Sequence, residues 1–241
     1  MTDESATWCI FQIGAREHYA IPRAIDAIGG EYRLFTDYWA SRSNKLPVPA
    51  SLQQRCHPAL DDERVHSFNL RYLAFEAKQK AICANPWAHI EARNVWFQNL
   101  AVEAFEKYLD TCDTPPIVFA YSYAALDILK VAKSYGCHTL LGQIDPGPVE
   151  FDLVENLHNL AGHELTDRPS PGYWESWRQE CDIADQIIVN SRWSRSALEK
   201  VGIDPGRIRE VPLVYEAASE TGQLKNDPFK PPLQAVSYTH L

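Results

Sequence analysis

Short apolar runs alternate with helix-period segments along most of the chain. Trp8-Cys9-Ile10-Phe11-Gln12-Ile13 is rich in strand formers and stops at Gly14, as a strand covered on both faces does before a loop. Pro22 suits the first turn of a helix carrying Ala24, Ile25 and Ile28, which Gly29-Gly30 ends. Tyr32 to Trp39 predicts a second strand, and the three elements make a βαβ unit. Residues 40 to 60 hold Pro47, Pro49 and Pro58 without periodicity and read as loop with one helical turn. Arg64 to Phe68 predicts a short strand.

From Asn69 to Leu109 the pattern turns helical, and Asn85-Pro86 divides it in two, because the residue before proline avoids helical backbone angles. Pro116 to Tyr121 predicts a strand. Ala125, Ile128, Leu129 and Ala132 then recur at helix spacing until Gly136. Thr139 to Ile144 predicts the next strand, closed by Asp145-Pro146-Gly147-Pro148. A helix through Val154 and Leu157 follows, then a turn at Arg168 to Gly172 and a helix bearing Trp174 and Trp177. Ile187 to Val189 is a strand, a helix starts after Asn190-Ser191, and a last strand ends in Pro212. Strand and helix in alternation imply an α/β fold, a Rossmann-like parallel sheet with helices on both faces.

The 241 residues, 45% of them hydrophobic and 11% aromatic, are enough for a packed core. A net charge of −9 argues against a nucleic-acid partner, whose phosphates are neutralised by Lys and Arg. Met1 to Ser5 is acidic and polar rather than a basic segment followed by an apolar one, and no run approaches the roughly 20 apolar residues that span a bilayer. A cytoplasmic location is therefore expected, and peripheral contact with a membrane surface stays compatible with the pattern. The six cysteines, Cys9, Cys56, Cys83, Cys112, Cys137 and Cys181, form no CxxC pair and read as reduced, mostly buried thiols. His158 and His163 do not stack on one helical face, and no metal is assigned.

The run Ala184-Asp185-Gln186-Ile187-Ile188-Val189-Asn190-Ser191, followed by Val211-Pro212, resembles the end of the N-terminal domain in glycosyltransferases of the GT-B fold, particularly family 4. The resemblance implies the acceptor-side half of a retaining, nucleotide-sugar-dependent enzyme. Its partners would be a sugar or glycan acceptor and a nucleotide-sugar donor, with no further cofactor. Such enzymes take most donor contacts, including paired glutamates, from a second domain. The expected organisation is a Rossmann-like domain over 1–216, a linker over 217–232, and the start of a second domain from 233. Ser237-Tyr238-Thr239-His240-Leu241 also resembles read-through of a cloning adapter, the alternative being an ordinary frayed terminus. A fragment lacking the donor half would be inactive alone.

Open α/β sheets bind ligands beyond the carboxyl ends of their strands, which selects the candidate residues. Gly14, Arg16 and His18 follow the first strand and precede a helix start, a setting that attracts anions; the alternative is that Gly14 merely permits the turn. Asp37 follows the second strand. Tyr121 and Tyr123 offer hydroxyls and ring faces to a sugar. Gln143 shares a strand face with Asp145, the candidate catalytic carboxylate, which equally suits a turn cap. Asn190 and Arg192 flank Ser191, itself a preferred helix cap. Trp193, Ala197, Leu198 and Val201 read as a core stripe, and Tyr173, Trp174 and Trp177 suit either a groove or a packed face. Two rival readings stand: a noncatalytic carbohydrate- or protein-binding module, and an NAD-type oxidoreductase using Gly14 and Asp37, which lacks the G-x-G-x-x-G pattern.

Overall fold

The computed structural model of the chain describes residues 6–41, 48–82 and 85–213; the linker and second-domain start expected over 217–241 lie outside them. Among the described residues one sheet is built from β1 (Trp8–Gln12), β2 (Tyr32–Thr36), β3 (Val65–Ser67), β4 (Ile117–Tyr121), β5 (His138–Gln143), β6 (Gln186–Val189) and β7 (Ile208–Glu210). Every neighbouring pair is parallel, in the spatial order β3-β2-β1-β4-β5-β6-β7. The direction of winding thus reverses between β1 and β4. Between the strands run α1 (Ala20–Ala27), α2 (Ala50–Gln53), α3 (Asn69–Ile82), α4 (Pro86–Leu109), α5 (Leu126–Ser134), α6 (Pro148–Leu160), α7 (Pro171–Ile183) and α8 (Arg192–Lys200).

Alternation along each strand sends side chains to two apolar layers. Cys9, Phe11, Phe35, Val118, Ala120, Leu141, Ile187 and Val189 pack under α4, α5, α7 and α8 through Phe97, Phe105, Ile128, Leu129, Cys181 and Leu198. Phe11 stacks on Phe35 with centroids 4.6 Å apart, and Phe105 meets Phe11 edge-on at 4.9 Å. On the opposite face Ile10, Tyr32, Leu34, Phe119 and Tyr121 pack with Tyr19, Ile25, Trp39 and Leu60. The Rossmann-like sheet covered on both faces is therefore the fold that forms.

Local signals account for most boundaries. Asn85 Oδ1 accepts the Ala88 N–H at 3.0 Å, and Pro86 opens α4 where its missing N–H costs nothing. The second strand stops at Thr36 instead of reaching Trp39, and two residues on the Tyr38 N–H turns to the Asp37 carboxylate at 2.9 Å. The last strand ends at Glu210, two residues before Pro212. Val211 N–H still reaches Val189 O at 2.8 Å, after which proline has no donor to offer. Trp193, expected in the core, is 50% exposed. The short α8 buries only Ser194, Ala197 and Leu198, a stripe too narrow to include it. Ser191 caps α8, accepting the Ser194 N–H at 3.2 Å.

Cys9, Cys137 and Cys181 are buried, Cys56 and Cys112 are half-buried, and all five are free thiols; Cys83 is outside the described residues. Burial pushes the thiols of Cys9, Cys137 and Cys181 up, which keeps them protonated and unreactive. No helix among the described residues is long and apolar enough to cross a membrane. Helix α6 differs from its neighbours: none of its residues is buried, and Leu153, Val154, Leu157 and Leu160 stand exposed.

Candidate functional site

The carboxyl ends of β1, β4 and β5 meet where the strand order reverses, the place where open α/β sheets take ligands. A cavity of about 110 Å³ opens there. Arg16 from the loop after β1, Tyr121 and Tyr123 from the end of β4, and Asp145 from the end of β5 line it. Helix α4 adds Arg93 and Asn94.

The loop after β1 is held from below. Gly14 adopts φ +71°, and its N–H reaches Asp37 Oδ1 at 2.8 Å, while Gln12 Nε2 donates to Gly14 O at 2.8 Å. Asp37 is fully buried and also pairs with Arg55 Nη1 at 2.8 Å. It therefore anchors the loop and has no free edge for a ribose. Glu17, His18 and Tyr19 follow with φ of 49°, 50° and 60°, three consecutive left-handed residues without a glycine. Each such residue costs about 1–2 kcal/mol, and strain of this kind concentrates where a site needs it. The turn aims Arg16 inward, its guanidinium 5.7 Å from the Tyr121 ring centroid, and Tyr121 donates to Glu17 Oε2 at 3.2 Å. His18→Gly should remove strain at an exposed position and raise stability by about 0.5–1 kcal/mol, net of the extra unfolded-state entropy. Thermal denaturation checks this, and a lowered melting temperature would contradict the left-handed turn.

The tips of β4 and β5 are tied into one polar lattice. Tyr123 donates its hydroxyl to Asp145 Oδ1 in a short hydrogen bond, and burial followed by the neighbouring carboxylate raises the phenol far above its ordinary pKa. Gln143 Nε2 donates to Tyr123 Oη at 3.1 Å and to Asp145 O at 3.0 Å; Trp177 Nε1 in turn donates to Gln143 Oε1 at 2.9 Å. Asp145 Oδ1 also accepts the Gly147 N–H at 2.8 Å. The carboxylate is thus a turn cap as well as a cavity wall. Gly147, at φ 66° and ψ −143°, holds a conformation that is essentially glycine's alone. Tyr173 stacks on Tyr123 at 4.9 Å with planes 12° apart.

Backbone support comes from Glu180 of α7, wholly buried. Its carboxylate accepts N–H groups from Tyr123 at 2.7 Å, Ala125 at 2.8 Å and Leu126 at 3.1 Å. It fixes Tyr123 at φ 74° and caps α5, whose own cap position, Ala125, has no side-chain acceptor.

Of the residues selected by sequence, Arg16, Tyr121, Tyr123 and Asp145 come together around the cavity, and Gln143 stands one hydrogen bond behind them. Gly14 and His18 share the loop but not the lining; the Gly14 N–H is taken by Asp37, and His18 is exposed. Asn190 and Arg192 lie at the tip of β6, outside the lining, with Asn190 Oδ1 accepting from Ser194 Oγ at 3.4 Å. The sequence reading missed Arg93, Asn94 and Trp87, which α4 brings to the cavity. Inside a helical pattern they carry no signal of their own, since only tertiary packing lays α4 across the strand tips.

The fold and the cavity together define a Rossmann-like α/β domain with a hydroxyl- and guanidinium-lined site at its switch point. No family model matches the chain, and no curated protein matches it in sequence. Solved structures share the fold. A UDP-glucosyltransferase from Polygonum tinctorium capable of glucosylating indoxyl superposes with a TM-score of 0.52 at 14% identity, over 91% of this chain and 55% of its own. TcCGT1 in complex with UDP gives 0.51 at 13% identity, over 90% and 54%. The chain therefore spans about half the length of the solved structures it matches.

Proposed function

We propose that this chain is the acceptor-side domain of a nucleotide-sugar-dependent glycosyltransferase of GT-B architecture. The observation that carries the reading is the cavity at the β1–β4 reversal, lined by hydroxyls, aromatic faces and a carboxylate, in a domain that matches one half of two larger proteins. The Ala184 to Ser191 run and the Val-Pro pair support the finer reading of a retaining, family 4-like enzyme. Helix α6 adds support of a different kind. It begins just after Asp145 and leaves Leu153, Val154, Leu157 and Leu160 bare, an apolar flank that suits a companion lobe beside the cavity mouth.

In this reading an acceptor sugar rests against Tyr121 and Tyr173 and gives a hydroxyl to Asp145. Oδ1 is occupied by Tyr123, Gln143 and Gly147, so Oδ2 is the oxygen left to orient that hydroxyl and to stabilise charge as its proton departs. The departing nucleoside diphosphate is stabilised by groups of the second domain.

The test uses the full-length protein with UDP-, GDP- and ADP-sugars and hydroxylated acceptors. Release of nucleoside diphosphate that depends on acceptor is expected, with kcat/KM lowered about 10²- to 10³-fold in Asp145→Asn. Retention is read from the anomeric configuration of the product by NMR. If no nucleotide sugar is consumed with any acceptor, the proposal fails.

A further inference from the structure

The cavity contains an unbalanced set of polar groups. Arg16 and Arg93 both line it, and neither guanidinium has an ion-pair partner among the described residues. Asp145, whose charge acts on Arg16, forms no ion pair with either, and its Oδ1 is engaged by Tyr123, Gln143 and Gly147. Arg93 Nε and two further polar atoms, Ser122 Oγ and Gln12 Oε1, are buried without a hydrogen-bond partner among the described residues. Ser122 is 3% and Gln12 1% exposed. Leaving such atoms unpaired is costly, and their residues lie where a ligand could satisfy them. The inventory is specific: two guanidinium forks, one hydroxyl, and one amide oxygen that can only accept.

The forks match the planar or tetrahedral oxygens of a carboxylate or phosphate. Gln12 Oε1 calls for a hydroxyl donor carried by the same molecule. Burial, foremost, and the like charge of Arg93 lower the Arg16 pKa, against the pull of Tyr121 and Asp145, so an added anion would relieve a standing repulsion. At about 110 Å³ the space is smaller than the ~150 Å³ cavity that admits benzene. It takes the anionic group of an acceptor and the hydroxyl beside it, with the rest of the acceptor at the open mouth.

We infer that Arg16 and Arg93 form an anion subsite that selects acceptors carrying a phosphate or carboxylate beside a free hydroxyl. This rests on the acceptor-side reading above and adds the substrate class. The experiment is isothermal titration of the chain with glycerol phosphate, glucuronate, glucose and UDP. Glycerol phosphate or glucuronate should bind at least about tenfold more tightly than glucose, a factor typical of one charge-assisted hydrogen bond, and the stronger of the two identifies the anion. Arg93→Met should abolish that difference by lowering anion affinity to the level of glucose. Ser122→Ala, a conservative change that keeps the fold, should weaken the anion about threefold or more.

Equal binding of glucose and the two anions overturns the inference, as does an anion preference that survives both substitutions. UDP competing with glycerol phosphate for Arg93 also overturns it, since the subsite would then belong to the donor. These outcomes are read by binding alone. They are separable from failure of the glycosyltransferase proposal, which is read by nucleotide-sugar consumption.

Discussion

Glu180→Ala should destabilise the chain by about 3–5 kcal/mol in urea denaturation, a large share of the 5–15 kcal/mol that folds such domains. Three buried N–H groups lose their acceptor. Each lost hydrogen bond to a charged partner costs about 1.5–3 kcal/mol, and partial relaxation brings the total below the sum. Glu180→Gln keeps one acceptor oxygen and should recover part of the loss. The wild-type side chain also predicts a pH dependence. Burial pushes its pKa from 4.5 up to about 7, against the three N–H donors that favour the carboxylate. Between these two values the folded chain keeps a proton that the unfolded chain has already released, so stability falls as pH rises through the window. Glu180→Gln should flatten that segment of the stability curve, and an unchanged slope would show that Glu180 does not titrate there.

Asp37→Ala should cost about 3–5 kcal/mol, because it strands a partly buried cation. Arg55 loses its 2.8 Å partner and is left, among the described residues, with the Tyr72 ring 5.0 Å from its guanidinium carbon. Burial pulls the Arg55 pKa down, and Asp37, with help from Tyr72 and Tyr19, more than offsets it. The same substitution frees the Gly14 N–H, loosening the loop that presents Arg16, so anion affinity should fall along with stability. A double-mutant cycle with Arg55→Met should give a coupling of about 1–3 kcal/mol. Additive losses would show that the pair acts independently.

Strand and helix alternation was legible because parallel strands covered on both faces leave dense apolar runs, as in Trp8 to Gln12 and Ile117 to Tyr121. The helix break at Asn85-Pro86 was legible for a different reason, since cap and proline act locally. The strand-tip rule brought Arg16, Tyr121, Tyr123 and Asp145 together without knowledge of the packing. It also selected Asp37, whose inward role depends on Arg55, a residue from the weakly patterned segment between β2 and β3. Arg93 and Glu180 were not legible. Each looks like one polar position among several on its helix, and only the lie of α4 and α7 against the sheet gives it a task. The left-handed turn at Glu17 to Tyr19 was hidden because it contains no glycine, asparagine or aspartate, and a single histidine, His18, is too weak a mark for three such residues in a row. Tyr173 and Trp177, ambiguous in sequence, divide the two roles: the first lines the cavity and the second, 3% exposed, is core.

The central position of β1 has a consequence during synthesis. Its one edge pairs with β2, close in the chain, but the other waits for β4, which the ribosome delivers roughly 80 residues after β2 is complete, several seconds at ~5–20 residues per second. Throughout that interval the nascent chain displays an unpaired, strongly apolar ribbon. Chaperone occupancy should therefore peak on intermediates arrested before Ile117 emerges and decline once β4 has docked.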